Sequence, residues 1–493
     1  MTRRDPRLER AGDERVGRFL RTAAAGLAAA LALATATLAP APRPLTAQTG
    51  PGLDAAGVAG AYMGLARGHQ ALHWNPANLS LDGDRRWSIG LPAIMATGAL
   101  IGPPFSEMPV LLDDDLTDDD RADFLAQMPD PGLGFRADLD VPIAGIGVGG
   151  FAVALSSTAL VDVGVGRELI DLYLFTRQYG DIDYSRITDY RIGDTYFSDA
   201  RYSTLIAGYA RSVPLTFGML HVGAAGRLVQ GHELQRGRVF EPIIDILNEE
   251  FALPALAARS TGGTGLGLDL GAALQPLPGL TLGLAVQNLL HTMRWDERIE
   301  VRGDEFSGAD LADTGPTDVY DRLRTRSFDP DAATLEEHTV VSSLFDDAHF
   351  PRVLRLGATL QVGATALNGT LATTAGDGVL HVGWPRYIAL GVEQDLPIIP
   401  VLTFRAGVAN SLFGASALNG GLSLNFGPVH INAAVGRLTG EDPDSDANIL
   451  ENATIDYGFG DDGDDDTRGY RFGDRLADAS GYTFGLGVQI GGP

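Results

Sequence analysis

Long stretches of the chain alternate between apolar residues and polar or small residues with a period of two. The clearest examples are residues 280–286, 354–362, 402–408 and 422–426. This period is typical of β-strands, because successive side chains point to opposite faces of a sheet. The pattern therefore predicts an all-β protein, although a soluble β-sandwich gives the same alternation.

The lengths of the connections between the predicted strands narrow the fold class. The pattern predicts fourteen strands, near 85–97, 132–141, 146–157, 201–212, 217–231, 261–275, 280–292, 352–363, 369–375, 387–396, 401–410, 417–426, 429–437 and 481–490. Short connections, such as Pro142–Gly145, alternate with long ones. This is typical of outer-membrane barrels, which have short periplasmic turns and long extracellular loops. We therefore expect a 14-stranded antiparallel transmembrane β-barrel.

In a barrel of this kind the apolar face of each strand meets lipid and the other face lines the lumen. The polar positions of the alternating segments are then lumen-facing residues. These candidates are Asp269, Gln287, Arg355, Gln361, Glu393, Arg405 and Asn425.

The N-terminus has the features of an export signal. Six arginines in residues 1–18 precede an uncharged stretch rich in Ala and Leu, and Leu45-Thr46-Ala47 offers a cleavage site. These features predict a signal peptide over residues 1–47, with an uncut membrane anchor as the alternative. A bilayer-length uncharged run at 141–161 contains Pro142 and several glycines, so it predicts a turn and a strand and not a transmembrane helix.

Composition and charge exclude several classes of function. The formal net charge of −26 excludes a nucleic-acid-binding surface. The chain has no cysteine, which excludes disulfides and thiolate metal sites. His69 and His73 are four residues apart without a nearby third ligand, so we predict no metal and no cofactor. The chain has no G-x-S-x-G and its histidines look isolated, so we predict no enzyme activity.

The long loops contain two amphipathic segments and several acidic runs. Thr117 precedes three aspartates and then Phe124, Leu125 and Met128, which predicts a capped helix whose apolar face could line an outer ligand groove or pack on other loops. Residues 241–251 predict a second short helix. We interpret the acidic runs 113–115, 118–120 and 461–466 as solvated loops that could also bridge divalent cations at the cell surface.

Residues 57–81 (GVAGAYMGLARGHQALHWNPANLSL) resemble the start of FadL-like outer-membrane barrels. The resemblance rests on Gly60-Ala61-Tyr62 and on the run Leu72-His73-Trp74-Asn75-Pro76-Ala77. Residues 116–134 look like the first long loop of an uncharacterised branch of that superfamily. The last strand, 483–490, resembles the terminal assembly signal of such barrels, but it ends in Ile490 and not in an aromatic residue.

The resemblance implies an N-terminal hatch inside the barrel. The expected organisation is a signal peptide at 1–47, a hatch at 48–84 and a transmembrane barrel at 85–493. Trp74, Asn75, Pro76 and Ala77 form the hatch motif. Pro76 cannot donate a backbone hydrogen bond, and Asn75 can bond its own backbone two residues on, so the motif predicts a rigid stop after the hatch helix.

The implied function is a channel in the bacterial outer membrane. Such channels take up hydrophobic small molecules, such as long-chain fatty acids or hydrocarbons, past the hatch and sideways through a kinked strand; Gly145, Gly147, Gly149 and Gly150 are candidates for the kink. The implied partners are the ligand, outer-membrane lipid and the barrel-assembly machinery. Two alternatives stay open: a carrier or scaffold in protein secretion or envelope assembly, which would bind an envelope or secretion partner, and a soluble or surface-attached β protein.

Overall fold

The computed structural model describes residues 52–81, 87–102, 117–128, 132–179, 195–239, 243–245, 250–295, 299–307, 324–327, 341, 344–345, 348–375, 378, 380, 386–396, 398–399, 401–411, 415–440 and 479–492. The predicted signal peptide and the acidic runs 113–115 and 461–466 lie outside the described residues, as does His381.

The described residues form mostly β-strands. The strands are β1 (Trp87–Ile101), β2 (Gly132–Val148), β3 (Phe151–Gly166), β4 (Tyr196–Leu215), β5 (Gly218–Val239), β6 (Ile243–Asp245), β7 (Glu250–Ser260), β8 (Gly263–Leu277), β9 (Leu280–Arg294), β10 (Ile299–Ser307), β11 (Arg324–Ser327), β12 (Arg352–Val362), β13 (Thr365–Ala375), β14 (Arg386–Asp395), β15 (Leu402–Ser411), β16 (Ala415–Phe426), β17 (Val429–Gly440) and β18 (Ala479–Gly492). The helices are α1 (Leu53–Gly57), α2 (Asp118–Ala126) and α3 (Arg167–Tyr179), with 3-10 helices at Gly68–His73 and Pro76–Ser80.

Fourteen of these strands close into an antiparallel barrel. The ring runs through β1–β5, β8, β9 and β12–β18, and it closes because β1 pairs with both β2 and β18. Each of the fourteen strands overlaps one predicted from the sequence, so the predicted fold class and strand number are confirmed. Short turns lie at one end of the barrel, which we call the short-turn end, and the long connections lie at the other, the long-loop end.

The other four strands extend the wall beyond the ring at the long-loop end. β7 pairs with residues 234–239 of β5, and it also pairs with β6 and β10, while β10 pairs with β11. The helix predicted at residues 241–251 is therefore wrong, because residues 243–245 and 250–251 are strand. The extended end of β5 offers unpaired backbone groups, and a strand satisfies them while an isolated short helix does not.

The turn predicted at Pro142–Gly145 is also wrong. β2 continues to Val148, and the turn to β3 lies at Gly149 and Gly150, where Gly149 has φ +56°. Pro142 lies instead at a bulge, where the pairing of β2 with β3 shifts register between Pro142 and Ala144. A proline is tolerated there because a bulge leaves a backbone position without a ladder hydrogen bond.

The barrel wall is apolar outside and largely polar or small inside. In β12, Leu354 and Leu356 are exposed, whereas Arg355, which lies between them, and Thr359, three residues further on, are buried. The same alternation in the other strands gives an outer surface of exposed Leu, Ile, Val and Phe, as a lipid-facing surface requires. Among the helices of the described ranges, none is long and apolar enough to span a membrane.

Candidate functional site: a hatch and an interrupted seam

Residues 52–81, which we call the hatch segment, run through the inside of the barrel. The segment contacts inward-facing residues on every one of the fourteen barrel strands. In order from β1 to β18, these wall residues include Ser88, Gly145, Ala154, Gly208, His221, Gly271, Gln287, Arg355, Thr370, Gly391, Arg405, Asn419, Ala434 and Gly485. The hatch segment therefore bridges the lumen from wall to wall.

Trp74 lies at the centre of the hatch segment and is completely buried. Its ring meets the ring of Tyr62 edge-on at 5.9 Å, and the guanidinium of Arg355 lies 4.8 Å from its centre. The carbonyl of His73 accepts from Gln287 Nε2 at 2.6 Å and from Arg355 Nη1 at 3.2 Å. The wall thus holds the middle of the hatch through a cation–π contact and two hydrogen bonds.

His73 is neutral at physiological pH. Burial, reinforced by the positive charge of Arg227, then by His69 and Arg355, lowers the pKa of His73 to about 3. The neutral ring therefore adds no further positive charge beside the guanidinium groups of Arg227 and Arg355.

An ion pair fixes the start of the hatch segment to the wall. Arg405 Nη1 lies 3.1 Å from Asp54 Oδ1, and Arg405 Nε donates to Glu393 Oε2 at 2.5 Å. Asp54 also accepts from Gln70 Nε2 at 3.0 Å, and the Tyr62 hydroxyl oxygen lies 3.3 Å from Asp54 Oδ2. One partly buried arginine therefore pairs with a hatch carboxylate and a wall carboxylate together.

The Asn75-Pro76-Ala77 turn leads from the first 3-10 helix into the second, which begins at Pro76. Asn75 Oδ1 accepts from the Ala77 amide at 3.0 Å, which is the turn that the sequence predicts. Asn75 Nδ2 donates to the carbonyl of Ala272 on β8 at 3.0 Å. One side chain therefore caps the second helix and attaches it to the wall.

Glycines on the inner wall allow the hatch backbone to approach closely. A methyl group at Gly407 would overlap the backbone of Val58, and one at Gly223 would lie 2.5 Å from the carbonyl carbon of Pro76. At these positions glycine is needed for space. This close approach explains part of the high glycine content of the chain.

The seam between β1 and β2 is interrupted near the short-turn end. Pairing runs to Gly90 opposite Gly145 and resumes at Met95 opposite Asp140, so residues 91–94 and 141–144 do not pair across it. Here β1 is also bulged against β18 and β2 against β3. Each strand has a proline in the unpaired stretch, Pro92 and Pro142, and a proline has no amide to donate. We call this stretch the seam gap.

A cavity of about 60 Å³ lies between the seam gap and the hatch segment. On the inside it is lined by polar residues, among them His69, Gln70, Asp140 and Gln489. It is also lined by Leu91, Leu155 and Val488, which alternate with the inward-facing residues of their strands and so belong to the lipid-facing side. The cavity therefore reaches through the wall from the hatch towards the lipid.

The residues predicted to face the lumen divide into three groups. Gln287, Arg355, Glu393 and Arg405 lie around the hatch as described above. Asp269 is fully buried and accepts from Arg227 Nε at 2.5 Å. Asn425 bonds Thr403 at 2.9 Å and His430 at 2.5 Å, while Gln361 is exposed near the short-turn end.

The predicted outer-groove residues lie on a loop helix that packs against another helix. α2 is capped by Thr117, whose hydroxyl accepts from the Asp120 amide at 3.2 Å. The hydroxyl and the amide of Thr117 donate in return to the Asp120 carboxylate, which lowers the pKa of Asp120. Phe124 and Met128 are buried with Ile170 and Leu174 of α3, and Leu125 packs at the edge. Of the two roles that the sequence leaves open, the structure places these residues in a loop-to-loop contact.

The histidines of the wall are not isolated, contrary to the sequence prediction. His221 Nδ1 lies 2.9 Å from the hydroxyls of Ser80 and Ser212, and His221 Nε2 lies 3.2 Å from Gln275. His221 is 1% exposed, so this group ties the end of the hatch segment to the wall and leaves no room for a substrate. Within the described residues, no group of three or more His, Cys, Asp or Glu could hold a metal ion.

Several residues of the site were not found from the sequence. Asp54 is a single acid in a small-residue segment, and Asp140 and Gln489 belong to strands whose pairing decides where they point. The one available signal was Pro92, a proline inside a predicted strand, which marks an edge or a bulge.

Comparison with known proteins gives distant likenesses in fold. No family model and no curated protein sequence matches the chain. The chain is similar to solved FadL-type channels. A Pseudomonas aeruginosa FadL homologue is 13% identical, with 91% of this chain and 99% of that chain covered and a TM-score of 0.44. The Ralstonia pickettii toluene transporter TbuX is 14% identical, with 90% of this chain and 99% of that chain covered and a TM-score of 0.43. The P. putida toluene transporter TodX is 12% identical, with 90% of this chain and 99% of that chain covered and a TM-score of 0.45. Likeness at this level leaves the function to be inferred from the geometry above.

Proposed function

We propose that the protein is a bacterial outer-membrane channel that passes hydrophobic small molecules by the hatch and out sideways through the seam gap. The observation that carries this proposal is the gap itself, because it lies beside the hatch with a cavity that reaches from one to the other. Lateral exit has a physical advantage. It spares an apolar ligand a passage through water, which costs roughly 0.8 kcal/mol per CH₂ group.

The rim of the gap suits contact with lipid. Leu91 is 38% exposed, Ile94 53% and Ile143 37%, and all three lie in the unpaired stretches. Because the backbone groups here lack partners across the seam, the two strands can separate without breaking a hydrogen-bonded ladder. This stretch of wall can therefore open at a lower cost than the intact seams.

The hatch must move for a ligand to pass. The cavity of about 60 Å³ can hold a few water molecules, whereas sites for small organic ligands usually measure about 300–1,000 Å³. The structure therefore corresponds to a closed state of the proposed channel. The ring of His69 lies against Gly90 and Gly145, at the edge of the gap nearer the short-turn end. Opening therefore requires the part of the hatch segment around His69 to withdraw from the seam gap.

A disulfide staple across the gap tests the lateral route. Continuing the register from Gly90 and Gly145 places Leu91 opposite Ala144. The native chain has no cysteine, so the double variant Leu91→Cys, Ala144→Cys has only this pair. In vesicles loaded with a fluorescent acceptor, oxidation should reduce uptake of an apolar probe, and reduction should restore it.

A second staple controls for the chemistry. Leu356 and Leu371 face each other across the intact seam of β12 and β13, so Leu356→Cys with Leu371→Cys should leave uptake unchanged when oxidised. Equal uptake by the oxidised and reduced gap staple would contradict lateral exit.

A hatch that meets every strand, together with the sheet extension at the long-loop end, also suits a carrier or scaffold for an envelope protein. That function predicts that vesicles containing the wild-type protein take up no apolar probe. It also predicts that an envelope protein binds the wild type and no longer binds when strands β6, β7, β10 and β11 are deleted.

A further inference from the structure

The cavity behind the seam gap offers an anion neither arginine nor lysine among the residues that the structure describes. None of its described lining residues is an arginine, and the chain has no lysine. The ionisable residues in this lining are Tyr62, His69, His73 and Asp140, of which His73 is neutral for the reasons given above and Asp140 is an acid. A ligand with a carboxylate head would therefore place its charge beside Asp140 without a described arginine in the lining to offset it.

Asp140 offers a hydrogen-bond acceptor at the cavity. It is 3% exposed, and Thr158 Oγ1 donates to its Oδ1 at 3.1 Å. No ion pair joins Asp140 to a basic residue among the residues that the structure describes. A buried carboxyl without a cation is stabilised by further hydrogen-bond donors, and a ligand that enters the cavity can supply one.

Gln489 offers a hydrogen-bond donor at the same cavity. Tyr62 Oη donates to Gln70 Oε1 at 2.7 Å, and Gln70 Nε2 in turn reaches Gln489 Oε1 at 3.4 Å. The amide nitrogen of Gln489 is buried and has no hydrogen-bond partner among the residues that the structure describes. An unsatisfied buried donor is rare in proteins and calls for an acceptor.

We propose that this cavity is a head-group site for an uncharged apolar molecule that bears a hydroxyl, such as a long-chain alcohol or an alkylphenol. A hydroxyl is both donor and acceptor, so it can donate to Asp140 and accept from Gln489 Nε2. The cavity is large enough for the head group alone, and the tail then passes Leu91 and Val488 into the lipid. This inference rests on the proposed channel function and narrows its substrate class.

The test compares three probes with the same twelve-carbon chain. We would incubate the purified full-length protein in detergent at pH 7.5 with equal concentrations of 1-dodecanol, sodium dodecanoate and dodecane, and quantify retained probe by native mass spectrometry and extraction. Binding of 1-dodecanol should exceed binding of the other two by at least about tenfold, the effect of one hydrogen bond to a charged group. Equal or tighter binding of dodecanoate would overturn the inference, and this comparison needs no variant.

Two variants assign the effect to the cavity. Asp140→Asn keeps the shape and removes the negative charge, so the preference for 1-dodecanol over dodecanoate should fall by about tenfold. Gln489→Leu removes the free donor and should weaken 1-dodecanol while leaving dodecane unchanged. Asp199→Asn makes the same chemical change in β4 at a residue that does not line the cavity, and it should keep the wild-type preference. A preference that Asp140→Asn leaves unchanged would contradict the assignment.

Uptake of the same probes into vesicles separates this inference from the channel function. If all three probes enter without the predicted order, the channel stands and the hydroxyl site is wrong. If no probe enters or binds, the channel function fails and the head-group site fails with it.

Discussion

Replacing Arg405 should destabilise the docked start of the hatch far more than replacing Asp54, its partner in the hatch segment. Arg405→Met leaves both Asp54 and Glu393 without their cation in a buried region, where the side chain of Asp54 is 5% exposed. Breaking a buried pair in this way costs about 3–5 kcal/mol. Asp54→Asn leaves Arg405 paired with Glu393 at 2.5 Å, so it should cost only about 1–3 kcal/mol, the usual value for a hydrogen bond to a charge.

The difference can be read as hatch opening in single-channel recordings. A loss of about 3 kcal/mol raises the population of the released hatch more than about a hundredfold. Arg405→Met should therefore show frequent ion-conducting openings, Asp54→Asn fewer, and the wild type almost none. Heat-modifiable migration on gels should be the same for all three, because the barrel strands keep their own hydrogen bonds.

A matched variant controls for the loss of an arginine. Arg201 is 55% exposed and pairs with Asp199 at 2.7 Å, and exposed pairs contribute only about 0–1 kcal/mol. Arg201→Met should therefore remain closed. The reasoning is refuted if Arg405→Met stays as closed as the wild type, or if Asp54→Asn opens more often than Arg405→Met.

Three further changes test the docking of the hatch. Gly407→Ala should raise ion leakage, because its methyl group would overlap Val58; Ala406→Gly, at the neighbouring position, should not. Asn75→Ala should cost about 1–2 kcal/mol and make the hatch more sensitive to protease, because it removes a helix cap and the bond to Ala272. Acid should also loosen the hatch. The pKa of His73 is about 3 when the hatch is docked and near 6.5 when it is released, so protons bind the released state first. The contribution of His73 to the stability of the docked hatch is therefore complete above pH 6.5 and falls as the pH drops towards 3. Leakage that decreases on acidification would contradict this.

The barrel was largely predictable from the sequence because lipid fixes the pattern of its strands. A strand between lipid and lumen must alternate at every second residue, and its backbone must pair on both sides, so period and connection length together locate it. The short strands β6, β7, β10 and β11 were missed because they extend the wall beyond the closed ring, where neither face has to be apolar throughout. The turn at Gly149 and Gly150 was misplaced because Pro142 and Gly145 give an equally strong turn signal.

The site was predictable only in part. The Asn75-Pro76-Ala77 turn depends on local hydrogen bonds, so its geometry follows from three neighbouring residues. The seam gap depends on two prolines about fifty residues apart, Pro92 and Pro142, which meet only because β1 and β2 pair in one register. Neither proline alone indicates an opening, since each could mark an ordinary bulge.

A removable lock between hatch and wall is the most direct test of the proposed channel. A β-carbon at Gly391 would lie 3.1 Å from that of Ala61, somewhat less than the separation of about 3.5–4.5 Å in disulfides, and 2.7 Å from that of Val58, so the hatch segment must shift slightly to admit the new side chain. The double variant Ala61→Cys, Gly391→Cys should therefore form a bond that holds the hatch segment against β14. If apolar molecules pass only when the hatch moves, the oxidised protein should take up no more 1-dodecanol than empty vesicles, and reduction should restore uptake above that level. If the fully oxidised protein takes up 1-dodecanol as fast as the dithiol form does, the account is contradicted.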